Sequence, residues 1–278
     1  MEYLLTRDGI AVPKIGFGTY KIKGALGVNA LLSAYEVGYR WFDTAYNYEN
    51  EGTVGKAIKQ SGMSRESWLI TSKLPGRYQT HDLALEAIQE SLYRAGLDYY
   101  DFYLIHWPNP LEDHYVEAWQ TLIQARQWGL IRSIGVCNFN EEHLQRLIRE
   151  TGVTPSLNQI ELHPQFNQKE MIRVNASLGI LTQAWSPIGR SLVQDFQQVP
   201  ELDELAKKYH KSVIQIILRW HLQNGVIPIP KSQNKQRQIE NIEVFDFELS
   251  SHDCALIDAL NRANGRLKDQ DPAAYQEF

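Results

Sequence analysis

Four polar residues of the chain, Asp43, Tyr48, Lys73 and His106, are of types that together could assist hydride transfer to a carbonyl group. A tyrosine hydroxyl has a pKa near ~10, and a neighbouring ammonium such as Lys73 can lower that pKa by ~1–3 units. Asp43 would keep Lys73 charged and oriented, and His106 would hydrogen-bond the substrate oxygen. The set would protonate an oxygen that becomes negative, which is worth ~10²–10⁴-fold in rate.

Each of these residues also has an ordinary structural interpretation. Asp43 alone is typical of a turn or a helix N-cap. Lys73 alone is typical of a solvated loop, His106 of a satisfied core histidine, and Tyr48 of a half-buried loop aromatic. The catalytic interpretation therefore depends on the fold bringing all four to one place.

Short apolar runs alternate with segments of helical periodicity along most of the chain. Helical stripes recur at Ile88, Leu92 and Ala95, at Val116, Trp119 and Ile123, and at Leu144, Leu147 and Ile148. Strands separated by helices must pair in parallel. The predicted strands are Ile15–Phe17, Arg40–Phe42, Trp68–Thr71, Phe102–Ile105, Ile131–Val136, Leu157–Ile160, Ile180–Ala184 and Val226–Ile229.

Eight such strands predict an α/β fold, a closed (β/α)8 TIM barrel formed by residues 1–278 as a single domain. The length of 278 residues suits this fold, which typically needs ~250. An open, doubly wound sheet is the alternative. Before the first strand, Tyr3–Leu5 and Ile10–Val12 flank Asp8-Gly9, which predicts a β-hairpin that closes the bottom of the barrel.

Barrel enzymes carry their chemistry at the carboxyl ends of the strands, and this sequence has polar or aromatic residues there. Such residues follow seven of the eight predicted strands, so we expect them to share one rim. They are Asp43-Thr44, Ser72-Lys73, His106-Trp107, Cys137-Asn138, Gln159 with Glu161, Trp185-Ser186 and Lys231-Ser232.

The common nucleotide and metal motifs are absent from the sequence. Gly16-Phe17-Gly18 would need a glycine at position 21, where Lys21 stands, and the eight histidines form no HExxH or HxH pattern. A nicotinamide cofactor would therefore need a phosphate-binding site of another kind. Lys231 and Ser232, with Arg237 on a predicted helix, could hold a terminal phosphate, although taken alone they are more typical of a solvated basic loop.

Composition limits the class of protein. The chain is 43% hydrophobic and 22% charged, which excludes a largely disordered protein, and its net charge of −5 gives no reason to expect a nucleic acid partner. Two cysteines, Cys137 and Cys254, do not form a disulfide scaffold and indicate a reducing compartment. With no signal peptide or membrane span in the sequence, we expect a cytoplasmic protein, and we expect a monomer.

Several motifs in a fixed order carry a resemblance to a known family. They are Gly16–Thr19, Asp43–Ala45 with Tyr48, Val54–Ile58, Ser72–Leu74, Gly96–Tyr99, Asp101–Pro108, Gly135–Phe139, Asn158–Glu161 with His163-Pro164, Trp185–Pro187, and Ile229–Ser232 with Arg237, Glu240 and Asn241. Over nearly its full length the chain resembles the aldo-keto reductases, and most of all the bacterial branch that includes the diketogluconate reductases.

The resemblance implies an NADPH-dependent reductase of small aldehydes and ketones (dicarbonyls, keto sugars or keto acids), with Tyr48 as proton donor and no metal. Lys73 and Asp43 would support Tyr48, and His106 would orient the carbonyl, with Tyr20 and Trp107 lining the substrate mouth. The implied cofactor contacts are Gly18, Thr19, Asp43, Cys137, Asn138, Gln159, Trp185, Ser186, Ile188, Lys231, Ser232, Arg237, Glu240 and Asn241. Among them, Trp185 would stack on the nicotinamide, Asn138 and Gln159 would hold its carboxamide, and Lys231, Ser232 and Arg237 would hold the 2′-phosphate.

The chain departs from the family pattern in a few places. Cys137 stands where many relatives have serine, and Trp185 where many have tyrosine. The polar tail, Gly265 to Phe278, is expected to lie over the pocket mouth. Alternative functions are an alcohol or sugar-alcohol dehydrogenase, a cofactor-binding protein without turnover, and a metal-dependent barrel isomerase or hydrolase.

Overall fold

The structure, a computed structural model, describes residues 2–278 and shows the predicted alternation of strands and helices. Eight parallel strands follow one another around a sheet in chain order. An amino-terminal hairpin contributes two further strands, β1 (Tyr3–Leu5) and β2 (Ala11–Pro13). The eight strands of the sheet are β3 (Phe17–Gly18), β4 (Trp41–Asp43), β5 (Leu69–Leu74), β6 (Tyr100–Ile105), β7 (Ile131–Cys137), β8 (Leu157–Glu161), β9 (Leu181–Trp185) and β10 (Val226–Pro228). The helices are α1 (Gly24–Val37), α2 (Glu51–Ser61), α3 (His81–Ala95), α4 (Tyr115–Gln127), α5 (Glu141–Thr151), α6 (Lys169–Ser177), α7 (Val193–Phe196), α8 (Pro200–Tyr209), α9 (Val213–Gln223), α10 (Lys235–Ile242) and α11 (Ser251–Asp258).

The sheet closes on itself between β3 and β10. Gly16 donates its N–H to Pro228 O at 3.0 Å, and Gly18 donates to Pro230 O at 3.1 Å. Two bonds that advance by two residues on both strands form a parallel ladder, so the predicted (β/α)8 barrel is confirmed and the open sheet is wrong. A Cβ at position 18 would lie 2.9 Å from Ile229 O, so the close approach requires glycine there.

The helical stripes predicted from periodicity are confirmed in α3, α4 and α5. In α3, Ile88, Leu92 and Ala95 are buried against the barrel. The helix ends at Gly96, which takes the left-handed conformation (φ +61°) and donates its N–H to the α3 carbonyls of Leu92 and Tyr93. Apolar burial on one face therefore sets the position of the helix, and the glycine sets its end.

The predicted hairpin is confirmed and covers the amino-terminal end of the barrel. β1 and β2 pair antiparallel around the Asp8-Gly9 turn, with the second strand displaced by one residue from the prediction. Val12 is fully buried in one apolar cluster with Trp41 and Phe102. Asp8 Oδ2 also accepts a hydrogen bond from Ser133 Oγ at 2.7 Å, which anchors the turn to β7.

Within residues 2–278, helices are too short or too polar to span a membrane.

Candidate active site

A buried ion pair lies at the carboxyl end of β4 and β5. Lys73 Nζ donates to Asp43 Oδ2 at 2.6 Å and to Thr44 O at 2.8 Å, and both charged side chains are almost fully buried. Burial alone would lower the pKa of Lys73, but the Asp43 carboxylate outweighs burial, so that this pKa is raised. Lys73 is therefore held as a cation inside the barrel rim.

The loop after β4 is fixed by one side chain that the sequence reasoning missed. Asn50 donates to Thr19 O at 2.8 Å and to Ile22 O at 3.0 Å, and it accepts from Thr44 Oγ1 at 2.6 Å. These bonds join the loops after β3 and β4 and support the 3₁₀ turn Tyr46–Tyr48. The only sequence signal was an Asn just before a helix, which is the usual N-cap residue.

Tyr48 lies above the ion pair and beside two other aromatic rings. Lys73 Nζ is 5.0 Å from the Tyr48 ring centroid, and the ring centroids of Tyr20 and His106 are 5.1 and 6.0 Å away. Burial raises the pKa of Tyr48 to about 12, and the opposing effect of the Lys73 charge is too small to reverse this. Lys73 lowers this pKa, as expected, but desolvation by the surrounding protein is the larger effect, so the net change is upward.

The tail lies against the mouth, as expected for residues 265–278. Tyr275 packs on Trp107 with ring centroids 4.5 Å apart, and Glu277 Oε1 lies 2.7 Å from His106 Nδ1. Glu277 is 7% exposed. Sequence reasoning assigned no role to Glu277, and no local pattern marks it.

An elongated groove runs away from Tyr48 along the ends of β9 and β10. One cavity of about 360 Å³ lies at Tyr48, and a second of about 830 Å³ extends towards α10; they share Ile188, Arg190 and Lys231. Predicted residues that line the first are Gly18, Thr19, Tyr20, Asp43, Tyr48, Trp185, Ser186, Ile188 and Lys231. Predicted residues that line the second are Ile188, Lys231, Ser232, Arg237, Glu240 and Asn241.

The comparison with family models decides the family. Residues 14–262 match the model of the Aldo/keto reductase family. The chain belongs to the aldo/keto reductase family. It is 45% identical to 2,5-diketo-D-gluconic acid reductase B of a Corynebacterium species over 271 residues, covering 98% of this chain and 96% of the relative.

Two further relatives agree with this membership. Methylglyoxal reductase DkgA of Escherichia coli K12 is 45% identical over 269 residues, covering 97% of this chain and 96% of the relative. A crystal structure of the Bombyx mori aldo-keto reductase in complex with NADP superposes with a TM-score of 0.89 at 37% identity, covering 99% of this chain and 98% of that chain.

Six predicted site residues of this aldo/keto reductase lie outside the groove lining: Lys73, His106, Trp107, Cys137, Asn138 and Gln159. Asn138 and Gln159 contact groove residues instead. Asn138 Oδ1 accepts from Trp185 Nε1 at 2.7 Å, and Gln159 Nε2 donates to Asp43 Oδ1 at 2.7 Å. The two amides therefore fix the positions of Trp185 and Asp43.

Cys137 is the site residue least supported by the structure. Its side chain is fully buried among Trp41, Phe102 and Leu104 in the barrel interior. Burial raises the pKa of the Cys137 thiol well above its usual value. A neutral thiol at this depth packs as a small apolar group.

Arg190 is a groove residue that the sequence reasoning missed. Its Cζ lies 5.1 Å from the Trp185 ring and 5.4 Å from the Tyr20 ring, and its Nε donates to Ser186 Oγ at 2.6 Å. Both Ser186 and Arg190 have positive φ, 51° and 53°, as does Asn138 at 61°. Left-handed backbone at non-glycine residues costs energy, which the surrounding structure must offset at these three positions.

The donor set of the groove suits a nucleotide rather than a metal. Trp185 offers an aromatic face, and the exposed cations Lys231 and Arg237 lie at the far end of the groove. Asn234 caps α10 by accepting from Arg237 N at 3.0 Å, which fixes the first turn of that helix. Among residues 2–278, there is no group of three or more His, Cys, Asp or Glu side chains placed to hold a metal ion.

Proposed function

We propose that this chain is an oxidoreductase that uses NADPH to reduce small aldehydes and ketones to alcohols. The observation that carries the proposal is the buried Asp43–Lys73 pair directly below Tyr48, at the end of a groove formed by two adjoining cavities of about 360 and 830 Å³. A buried cation paired with a carboxylate has no packing advantage, since two apolar residues in place of the pair would often be as stable or more stable. It does favour charge that develops on the oxygen beside Tyr48.

NADPH, when bound, supplies the hydride. The Tyr48 hydroxyl donates a proton to the substrate oxygen, and Lys73 stabilises the resulting phenolate because its charge is locked in place by Asp43. His106, whose ring centroid lies 6.0 Å from that of Tyr48, orients the substrate oxygen. The high pKa of Tyr48, about 12, keeps the hydroxyl protonated at neutral pH, ready to donate.

The groove supports NADPH over NADH. Lys231 and Arg237 are two exposed cations at the end of the groove remote from Tyr48, beside Ser232. A 2′-phosphate placed there would make charge-assisted hydrogen bonds. The Bombyx mori relative was crystallised with NADP, in agreement with this assignment.

The substrates we propose are small carbonyl compounds: dicarbonyls, keto sugars or keto acids. The names of the relatives, a 2,5-diketo-D-gluconic acid reductase and a methylglyoxal reductase, both specify compounds with two ketone or aldehyde groups. All four catalytic groups come from one chain, so we propose a monomer, and two free cysteines suit a reducing cytoplasm. Gel filtration tests the monomer.

The first experiment follows NADPH absorbance when the protein is mixed with methylglyoxal. We expect oxidation by the wild type and a loss of about 10²–10⁴-fold in Tyr48→Phe, because the phenylalanine ring fills the same space without a proton to give. NADPH affinity, measured by quenching of tryptophan fluorescence, should stay within twofold. Near-normal turnover by Tyr48→Phe would refute the proton-donor role.

The second experiment tests the phosphate site. Arg237→Ala should weaken NADPH binding by about 10–100-fold and NADH binding very little, since only NADPH carries the phosphate. Lys235→Ala is the matched control, because Lys235 lies on the same helix and pairs with Glu36 at 3.1 Å. Equal losses for the two cofactors would show that Arg237 is structural.

A further inference from the structure

The tail places the Glu277 carboxylate among hydrogen-bond donors at the barrel rim. Glu277 Oε2 accepts the N–H of Gly76 at 3.0 Å, and Glu277 Oε1 accepts from Asn47 Nδ2 at 2.8 Å. His106 Nδ1 lies 2.7 Å from the same Oε1. The contact is short but lacks the alignment of a hydrogen bond, since His106 Nδ1 has no hydrogen-bond partner.

The backbone of Glu277 is held as firmly as its side chain. The side-chain amide of Asn109 makes both bonds: Nδ2 donates to Glu277 O at 2.8 Å, and Oδ1 accepts from Glu277 N at 2.9 Å. The amide thus pairs with the backbone of Glu277 as a neighbouring strand would. Asn109 itself takes a left-handed conformation, with φ 47°. A Cβ at position 76 would lie 2.5 Å from Glu277 O, so Gly76 is required for this fit. The contact is therefore a specific docking site for one residue of the tail.

Glu277 is ionised in this site. Burial raises its pKa, but the attraction of His106 and the hydrogen bonds from Gly76 and Asn47 outweigh burial, and the pKa lies below its usual value. Glu277 also lies beyond residues 14–262, the part that matches the family model. The pair formed by His106 and Glu277 thus joins the barrel rim to a residue outside the matched region.

We propose that Glu277 is a positioning residue that keeps a proton on Nδ1 of His106. Nε2, which faces the substrate, is then the ring nitrogen that gains and loses a proton. A carboxylate beside Nδ1 favours a hydrogen there in both charge states of the ring. Nε2 then donates to a carbonyl oxygen only when the ring is charged. In the neutral ring, Nε2 accepts from a hydroxyl, which suits the reverse reaction of an alcohol.

The other charged and titratable groups around His106 do not take this role. Tyr48 faces the ring at 6.0 Å and stays protonated, with its pKa at about 12. Lys73 and Asp43 lie beyond Tyr48 as a closed pair. Arg77 donates to Asn47 Oδ1 at 2.7 Å and acts on Glu277 through that amide.

The direct test is ¹⁵N NMR of the whole chain labelled at histidine. The His106 signals are assigned by their loss in His106→Gln. In the neutral ring we expect protonated Nδ1 and bare Nε2 in the wild type, and the reverse in Glu277→Gln. In that variant the side chain carries no negative charge, so it no longer favours a proton on Nδ1. Asp269→Asn removes a charge from an exposed position of the same tail and should match the wild type.

The kinetic test rests on the proposed function and uses the pH profile of kcat/KM for methylglyoxal reduction. We expect the wild-type value to fall about tenfold per pH unit once the ring loses its Nε2 proton. Glu277→Gln should start about 10-fold lower at pH 6, because a neutral donor replaces a charged one, and then stay flat to pH 9. A merely structural role would lower the whole curve without changing its shape.

The two readouts separate the proposals. An unchanged His106 tautomer in Glu277→Gln, or a wild-type neutral ring with its proton on Nε2, would overturn the role of Glu277. A wild type that oxidises no NADPH with any small carbonyl would refute the proposed function, and the NMR result would still decide the role of Glu277.

Discussion

The two ends of the barrel are covered by chain termini of very different character. At the amino-terminal end, the hairpin inserts Val12 into an apolar cluster with Trp41 and Phe102. At the carboxyl end, the tail contributes Glu277, held by hydrogen bonds to Asn109 and by charge to His106. Apolar burial is insensitive to small changes of angle, whereas ion pairs and hydrogen bonds fix atoms at set distances. The first cover therefore serves stability, and the second serves the position of reacting groups.

The largest expected effect comes from disrupting the Asp43–Lys73 ion pair at the carboxyl end of the barrel. Lys73→Met leaves the Asp43 carboxylate buried without its cation, which should lower the free energy of unfolding by about 3–5 kcal/mol and abolish reduction. Urea unfolding and NADPH oxidation measure the two effects. The double variant Asp43→Asn/Lys73→Met should recover most of the stability and none of the activity. A double variant as unstable as Lys73→Met would show that the pair is structural.

The second prediction concerns the apolar end. Val12→Ala removes two methyl groups from a fully buried site and should lower the free energy of unfolding by about 2–3 kcal/mol. The barrel rim that carries Tyr48 is at the other end, so kcat/KM at 25 °C should stay within twofold. Leu5→Ala, on the exposed side of the same hairpin, is the control and should change stability very little. A loss of activity in folded Val12→Ala would contradict the division between the two ends.

Periodicity and turn chemistry were enough to predict the barrel and the hairpin that covers its amino-terminal end. Stripes such as Ile88 and Leu92 and the Asp8-Gly9 turn are local signals, and local signals survive in a single sequence. The rim was also predictable, because parallel strands bring their carboxyl ends together. Lys73 and Asp43, 30 positions apart, are paired for that reason.

The remaining features depend on contacts between distant parts of the chain. Glu277 meets Asn109, 168 positions away, through geometry that no local pattern encodes. The net direction of the Tyr48 pKa shift was not predictable for a related reason: the Lys73 charge was visible in the sequence, but the depth of burial was not. Arg190 was missed because its position over Trp185 depends on a left-handed turn at a non-glycine residue.

The smallest expected effect tests the tail that covers the carboxyl end of the barrel. In Gly76→Ala the new Cβ would lie 2.2 Å from Asn109 Nδ2 and 2.5 Å from Glu277 O, so the tail must shift. We expect the KM for methylglyoxal to rise about 3–10-fold, equivalent to about 1 kcal/mol. Unfolding in urea should change by less than about 0.5 kcal/mol. A large loss of stability with an unchanged KM would reverse the comparison and make the tail a structural cover.

The ladder between β3 and β10 also sets the order in which the molecule can be completed. β3 is made early and its final neighbour is among the last elements to be synthesised, so one edge of β3 has no strand partner while most of the chain is being translated. Unpaired edges invite association with other chains, and pairing across such a long separation is slow. β3 is only two residues long, Phe17–Gly18, so it exposes few backbone groups with which a strand of another chain could pair. The shortness of the first barrel strand thus protects the nascent protein until its ring can close.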